Sequence, residues 1–333
     1  MGSEHLREHH AHQAAWLAGG VASTVQNLSP SNKRLHLQEG PIDLVIRASG
    51  SDHACEMAYH KMETEFNGLL SSLVDELPAL RTPMSKLMGS VEQPLQTSPF
   101  QGPVARRMHS ACQQTLDHVS AEVTPMAAVA GAVADQVLGA AADIPGLSSL
   151  HVNNGGDIAF HLQAGEEFIC GICDYENAMT GGDEGPHAKA RSAQIVIRHN
   201  DPVRGIASSG RLGRSFSLGI ADSVTVLAEN AALADVAATL VANQVDLPKH
   251  PAVQRSSASE LDPDTDLGDS LVVTGLGVLT KQDIHSALQA GARYAQPLVQ
   301  SGLIHAAYLS LRGEHSVVGR QCQLPWRNCV LHD

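Results

Sequence analysis

Apolar and polar residues alternate along the chain with two different periods, and the switches between them divide it into elements. Leu35 and Leu37, then Ile42, Leu44 and Ile46, occupy every second position on either side of Gly40-Pro41, which predicts a β-hairpin. Ser49-Gly50-Ser51-Asp52 breaks the second strand and offers a helix cap. From about Cys55 the series Tyr59, Met62, Phe66, Leu69, Leu70, Leu73 and Leu77 follows helical spacing as far as Pro78. Arg81 to Gly102 holds Pro83, Pro94 and Pro99 and little period, as expected of a long connection. Pro103 suits the first turn of a helix with Val104, Met108, Ala111, Cys112, Leu116 and Val119 on one stripe. A second helix, rich in small residues, is expected from about Met126 to Ala142.

After Gly146 the period shortens. Strands are expected at 150–153, 158–162, 168–173, 193–198, 205–208 and 223–227, with a polar, Gly-rich loop over 175–192. A helix over 230–243 follows, then an acidic, Pro-containing surface excursion over 246–270. A short strand at 271–273, a helix from Lys281 to about Gln296 and a hairpin of 303–311 with 315–318 complete the layout. Residues 1–30 read as a peripheral arm with a short helix around 12–21. Residues 31–333 read as one domain, divided at most into two lobes near residue 145. The fold class is α+β, with helices packed beside a largely antiparallel sheet.

Composition narrows the function. The chain has 333 residues, 43% of them apolar and 17% charged, enough for a sizeable core and unlike a disordered protein. Asp and Glu number 35 against 22 Lys and Arg, and the formal charge of −13 argues against a broad basic face for nucleic acid. No run approaches the roughly 20 apolar residues of a bilayer span, and the polar opening MGSEHLREHHAHQ is unlike a signal peptide. Neither nucleic acid nor a membrane is therefore an expected partner. Six cysteines are too sparse for a disulfide framework, so reduced thiols in a cytoplasmic protein are expected. The expected partner is a small-molecule ligand, carried by a monomer or a homo-oligomer.

Three segments carry candidate chemistry. In Asn153-Asn154-Gly155-Gly156-Asp157, paired glycines admit positive φ while two carboxamides and a carboxylate offer polar contacts; an ordinary Asn-Gly hairpin turn is the alternative. Asp235 and Thr239 share a helix face four residues apart, a pair of hard oxygen donors suited to Mg²⁺, or else a polar edge on an Ala-rich helix. Ser208, Ser209, Arg211 and Arg214 lie in ASSGRLGRS, which would cradle an anion or form a basic turn. His5, His9, His10 and His12 have helical metal-ligand spacing but fall in the arm, and His53, His60, His109 and His118 lie on or beside predicted helices. Cys170-Gly-Ile-Cys173 is a CxxC inside a predicted strand, without the second pair of a zinc site or the helix of a thioredoxin motif; Cys322 and Cys329 are the other close pair.

Taken in order, RLHLQEGPIDLVI, GPVARRMHSAC, TPMAAVAGAVADQVL, HVNNGGDIAFHL and GIASSGRLGRSFSLGIADSVTVLAENAALADVAATL resemble the ApbE-like proteins of bacteria and archaea. That group is distantly related to ApbE, the FAD:protein FMN transferase, which splits FAD with Mg²⁺ and attaches FMN to a threonine. The resemblance implies an ApbE-like (T-fold-like) fold. It places metal ligands at Asp235, Thr239 and a backbone carbonyl near Ala127, keeps Gly131 and Asp135, and matches Gly155, Gly156 and Asp157 to a Gly-Gly-Asp strand turn. Three departures stand out. Ala238 replaces a further metal-binding Asp, Ala130 replaces a flavin-contacting Lys or Glu, and Phe216-Ser-Leu-Gly-Ile-Ala-Asp222 replaces a His-Ile-x-Asp-Pro-x-Thr-Gly stretch. Mg²⁺ and flavin are accordingly expected to be held weakly or not at all.

The expected function is an enzyme acting on a small anionic metabolite, by hydrolysis or ring opening. Asn153 and Asn154 would orient the ligand, Asp157 or Asp235 would serve as acid–base, and Arg211 or Arg214 would hold the ligand's charge. Gly155, Gly156, Ser208, Ser209, Gly131 and Asp135 would line the same pocket. The alternatives are a Mg-dependent FAD:protein FMN transferase and a non-catalytic flavin- or metabolite-binding protein.

Overall fold

A computed structural model describes residues 22–27, 33–87, 98–173, 191–319 and 329–332. Strands β1 (Ala22–Asn27), β2 (Lys33–Glu39) and β3 (Ile42–Gly50) open the described chain, followed by helix α1 (Asp52–Phe66). Helices α2 (Pro103–Leu116) and α3 (Val129–Gly139) come next, then β4 (Leu147–Asn154), β5 (Asp157–Leu162), β6 (Glu167–Cys173), β7 (Arg191–Arg198), β8 (Gly205–Ser209) and β9 (Ser223–Ala228). Helix α4 (Ala231–Gln244), β10 (Val253–Ser257), β11 (Leu271–Leu276), helix α5 (Lys281–Gln300), β12 (Ile304–Leu311), β13 (Glu314–Gly319) and β14 (Cys329–His332) follow.

Among the described residues, ten strands form one sheet in the order β1-β2-β3-β4-β5-β8-β9-β12-β13-β14. Every neighbouring pair is antiparallel except β13 with β14. The helices cover one face. Leu35, Leu37, Leu44, Ile46, Leu150 and Val152 alternate inward from the strands and meet Met62, Phe66, Met108 and Val133 from the helices. Helix α4 runs through the middle of this layer, buried almost all round, and its alanines let neighbouring backbones come close. A second, smaller core lies on the opposite face, where the β6–β7 ribbon packs Ile195, Ile197 and Phe168 on Phe160, Leu162, Ile206 and Tyr308. The α+β class with a large antiparallel sheet and packed helices is as the sequence predicts.

Several boundaries differ from the sequence reading. The helix expected to run to Pro78 ends at Phe66, because Gly68 takes φ +80 and turns the chain into two short helical pieces, Leu69–Asp75 and Leu77–Leu80. The small-residue helix begins as a 3₁₀ turn, Pro125–Ala128, before α3. The acidic excursion contains a strand: β10 pairs with β11, partly exposed throughout, so no apolar alternation announces it. Helix α5 carries Pro297 in its last turn and continues to Gln300. Within the span read as an arm, β1 pairs with β2 at the sheet edge. The expected helix at 12–21, most of the loop over 175–192, the four arm histidines and Cys322 lie outside the described residues. Among the described residues no helix is long and apolar enough to cross a membrane.

Candidate functional site

The centre of the sheet is thin. Strands β5 and β8 pair only through Ile158 with Ile206 and Ala159 with Gly205. Beyond those two pairs Ser208 has no partner on β5, and the Asp157 side chain takes its place: Ser208 N–H donates to Asp157 Oδ1 at 3.1 Å. Asn154 and Asp157 face each other across the Gly155-Gly156 turn, and both are buried. The glycines take φ +66 and +120, and the Gly156 N–H donates to Asn153 Oδ1 at 2.9 Å. The turn chemistry thus accounts for Gly155, Gly156 and Asn153 by itself. Asn154 and Asp157 are different, since they point into the helix layer.

There they meet a crossing of two helices. Asn154 Nδ2 donates to the Ala130 carbonyl at 3.1 Å, at the start of α3. Gly131 N–H donates to Asp235 Oδ2 of α4 at 3.0 Å. In return, Ala231 and Ala232 N–H at the start of α4 donate to the two oxygens of Asp135 on α3, at 3.0 and 2.9 Å. Each helix supplies the carboxylate that caps the other, at the same spacing: Gly131 precedes Asp135 by four residues, as Ala231 precedes Asp235. Thr239, one turn beyond Asp235, reaches Ser209 Oγ at 3.5 Å, and Ser208 Oγ is 2.7 Å from Thr225 Oγ1.

Asn154, Asp157, Ser209, Asp235 and Thr239 therefore lie together on the helix side of the sheet, between the β5–β8 gap and the α3–α4 crossing, with Gly131 and Asp135 at their back; Ser208 meets Asp157 through its amide alone and turns its hydroxyl to Thr225 on the opposite face. Ala127 lies in the 3₁₀ turn that leads into α3. The carboxylates govern the electrostatics. Burial pushes the Asp157 carboxyl up to about 7, against the bond from Ser208. Burial, then the charge of Asp157, raises Asp235 well above the carboxylate range, although α3 amides donate to it. Asp135 is also raised by burial, but the α4 amides and Arg107 oppose the shift. The charge of Asp157 thus reaches Asp235, and the two carboxyls are electrostatically linked. Burial, then the charge of Asp235, raises the Cys112 thiol, which leaves it an inert wall.

The two arginines separate. Arg211 is spent inside the protein: it pairs with Asp222, which is 3% exposed and also accepts from the Arg312 amide. Arg214 is exposed and lies over the turn, its Nη1 3.4 Å from where a Cβ on Gly155 would stand. Arg211→Ala should therefore cost about 3 kcal/mol by stranding a buried carboxylate, whereas Arg214→Ala should leave the melting temperature in place and weaken an anionic ligand roughly tenfold. Urea denaturation and ligand titration of both variants check this assignment. Cys170 lies in β6, on the ribbon and away from this group. His109 is buried on α2 beside Phe100, with burial lowering its pKa.

Asp222 and Thr225 were not singled out by sequence. No motif marks a buried counter-ion or a serine's partner on the next strand. The helix crossing did leave a signal, the repeated four-residue spacing of a small residue and an aspartate.

A family model described as "AbpE bacteria" matches residues 26–317. A UPF0280 protein of Methanobrevibacter smithii is 35% identical over 141 residues, 42% of this chain and 52% of that protein. One from Methanopyrus kandleri is 38% identical over 154 residues, 45% of this chain and 56% of that protein. The chain thus spans about half the length of the curated relatives it matches. Among solved structures, the ApbE protein of Thermotoga maritima aligns over 91% of this chain and 97% of that one, at 11% identity and a TM-score of 0.37. The flavinyl transferase ApbE of Pseudomonas stutzeri aligns over 90% and 93%, at 12% identity and a TM-score of 0.36. These scores are low, and the architecture rests on the chain's own strands and helices.

Proposed function

The chain belongs to the family described as AbpE bacteria, and from that premise we propose that it is an enzyme that moves a proton on a small anionic metabolite, with Asp157 and Asp235 as the acid–base pair. The observation that carries this reading is the pairing itself: two carboxylates share a buried field, and Asp157 is raised to about 7, where a carboxyl both gives and takes a proton near neutrality. Both carboxyls accept a backbone amide, and it is Asp157, raised to about 7, that exchanges its proton with the ligand near neutrality. Asn154 fixes the wall behind it, and Ser209 and Thr239 offer hydroxyls to a polar ligand. Arg214 reaches over the turn to hold the ligand's charge. Hydrolysis and ring opening are the reaction classes this arrangement serves, since both need one group to donate and accept in turn.

The test is a thermal-shift survey of carboxylated and phosphorylated metabolites, followed by NMR of any ligand that stabilises the protein. The expected result is a ligand that raises the melting temperature, is chemically changed by the wild type, and is bound but unchanged by Asp157→Asn. Turnover that survives Asp157→Asn would overturn the reading.

A second reading has its own observation. Asp235, Thr239 and Asp157 are hard oxygen donors on the helix side of the sheet, and such donors suit Mg²⁺, the ion implied by the ApbE resemblance. The fit is partial, because Asp235 Oδ2 is already taken by Gly131 N–H, and among the described residues no group of three or more His, Cys, Asp or Glu is placed to hold a metal ion. When bound, such an ion would supply charge stabilisation to a phosphoryl group. Calorimetry should accordingly show Mg²⁺ binding no tighter than about millimolar, as befits few charged ligands, and no FMN transfer to a threonine-bearing peptide. Micromolar binding abolished by Asp235→Ala, together with a flavinylated peptide, would favour the transferase instead.

A further inference from the structure

Among the described residues, the second core covers only part of the sheet face opposite the helices. The second core draws on β5, β7, β8, β9, β12 and β13, and none of its buried residues comes from β2, β3 or β4. Beside that core the alternation of the strands turns Arg34 and His36 of β2, Val45 and Arg47 of β3, and His151 of β4, which lies under Phe168 of the ribbon, away from the main core. The register aligns three of them. Leu35 pairs with Ile46, so Arg34 faces Arg47, and Arg47 pairs with His151.

Two arginines and a histidine side by side are an uncomfortable row. Like charges directly opposite on neighbouring strands are destabilising, and among the described residues neither arginine has a carboxylate within ion-pair distance. His36, on the same strand, has its own partner in Asp43 at 2.6 Å. The row ends on an aromatic wall: Phe168 leans on His151 with ring centroids 5.5 Å apart and stacks on Phe160 at 4.7 Å, which fixes the imidazole.

We propose that Arg34, Arg47 and His151 form a second ligand site, separate from the Asp157 group, that takes the phosphate of a small phosphomonoester. Guanidinium groups bind phosphate through paired, directional hydrogen bonds, and a single phosphate dianion matches a cationic row this short. A polyanion or an anionic membrane would instead meet the chain's formal charge of −13. Burial, then Arg47 and Arg34, hold His151 down to about 4, so the free protein keeps this ring neutral and a bound anion would return its charge.

The experiment titrates the whole chain with inorganic phosphate at pH 7, at ionic strength held constant with sodium chloride, and follows the His151 ring by NMR and the melting temperature. A saturable, single-site shift of His151 and a rising melting temperature are expected. Arg34→Gln and Arg47→Gln should each weaken the binding at least tenfold, and Arg47→Gln should raise the melting temperature in phosphate-free buffer by relieving the repulsion. Asp157→Asn should leave phosphate binding here unchanged, which separates this site from the acid–base pair. A His151 ring that does not respond, or a response equally strong in both glutamine variants, would overturn the proposal.

Discussion

Asp157→Asn should make the protein more stable at pH 8, by roughly 2–4 kcal/mol, while removing the proposed proton-transfer activity. Proton linkage sets the sign. The Asp157 carboxyl sits near 3.8 in the unfolded chain and at about 7 in the folded one. Between those values the folded state binds more protons than the unfolded state. Its stabilising contribution is complete below the unfolded value and is lost as pH rises through the folded one, at about 1.4 kcal/mol per pH unit for one proton. Asp235 adds to the same slope, because its carboxyl is raised by burial and by Asp157. Asparagine has no charge to desolvate, and its Oδ1 still accepts from the Ser208 amide. The variant should match the wild type near pH 4 and exceed it above pH 7. Urea denaturation at pH 4.5, 6 and 8 measures the difference. A wild type whose stability is flat or rising from pH 5 to 7 would remove the buried-carboxylate account. The loss of turnover, about 10² to 10⁴-fold for an acid–base group, would then have to come from elsewhere.

That combination, lost function with gained stability, is the expected mark of a functional carboxylate, since a structural one is stabilising where it sits. Asp135 supplies the contrast. It accepts from Ala231 and Ala232 at the start of α4, and Asp135→Asn would give up one of two charge-assisted bonds to a helix end. The sequence reading grouped Asp135 with the ligand-binding residues. Its bonds in the structure are those of a helix cap.

The elements themselves were largely legible, because the period of the apolar residues reports directly which backbone geometry can bury them. Leu35, Leu37, Leu44 and Ile46 alternate because β2 and β3 each have one face in the main core. The same logic explains the errors. Gly68 interrupts a stripe that remains apolar on both sides, so periodicity runs straight across the break. Strand β10 buries little, and a strand that buries little has no period to read. For the candidate site, sequence pointed to Asn154, Asp157, Ser208, Ser209, Asp235 and Thr239 as separate local signals. Their convergence depends on β8 pairing with β5 across the 42 residues between Leu162 and Gly205, which include the whole β6–β7 ribbon, and no local pattern encodes that. The fates of Arg211 and Arg214 were equally out of reach. Both stand in one basic segment, and only the buried position of Asp222 decides which guanidinium is consumed.

The helix crossing behind the site yields the sharpest mechanical test, a pair of glycine substitutions on one helix with opposite signs. Gly131 and Gly139 both belong to α3, and in an exposed helix either change to alanine would gain about 1 kcal/mol of helix propensity. At Gly139 nothing lies within 4 Å of an added Cβ, so that gain should be realised as a stabilisation of roughly 0.5–1 kcal/mol. At Gly131 the Cβ would stand 2.2 Å from the Ala231 carbonyl oxygen and 2.8 Å from the Ala232 nitrogen. Those atoms are backbone at the start of α4, held by Asp135, and cannot swing aside as a side chain would. Relief requires the helices to separate, which lengthens the bond from Gly131 N–H to Asp235 and both bonds to Asp135 at once. Overpacking alone costs about 1–3 kcal/mol, and the shared caps add to it, so Gly131→Ala should lose roughly 3 kcal/mol net despite its better propensity. The two variants, compared by urea denaturation, should fall on opposite sides of the wild type. If Gly131→Ala were instead neutral or stabilising, α3 and α4 would not touch at this point, and Asp235 would not be held in the position that the proposed acid–base pair requires.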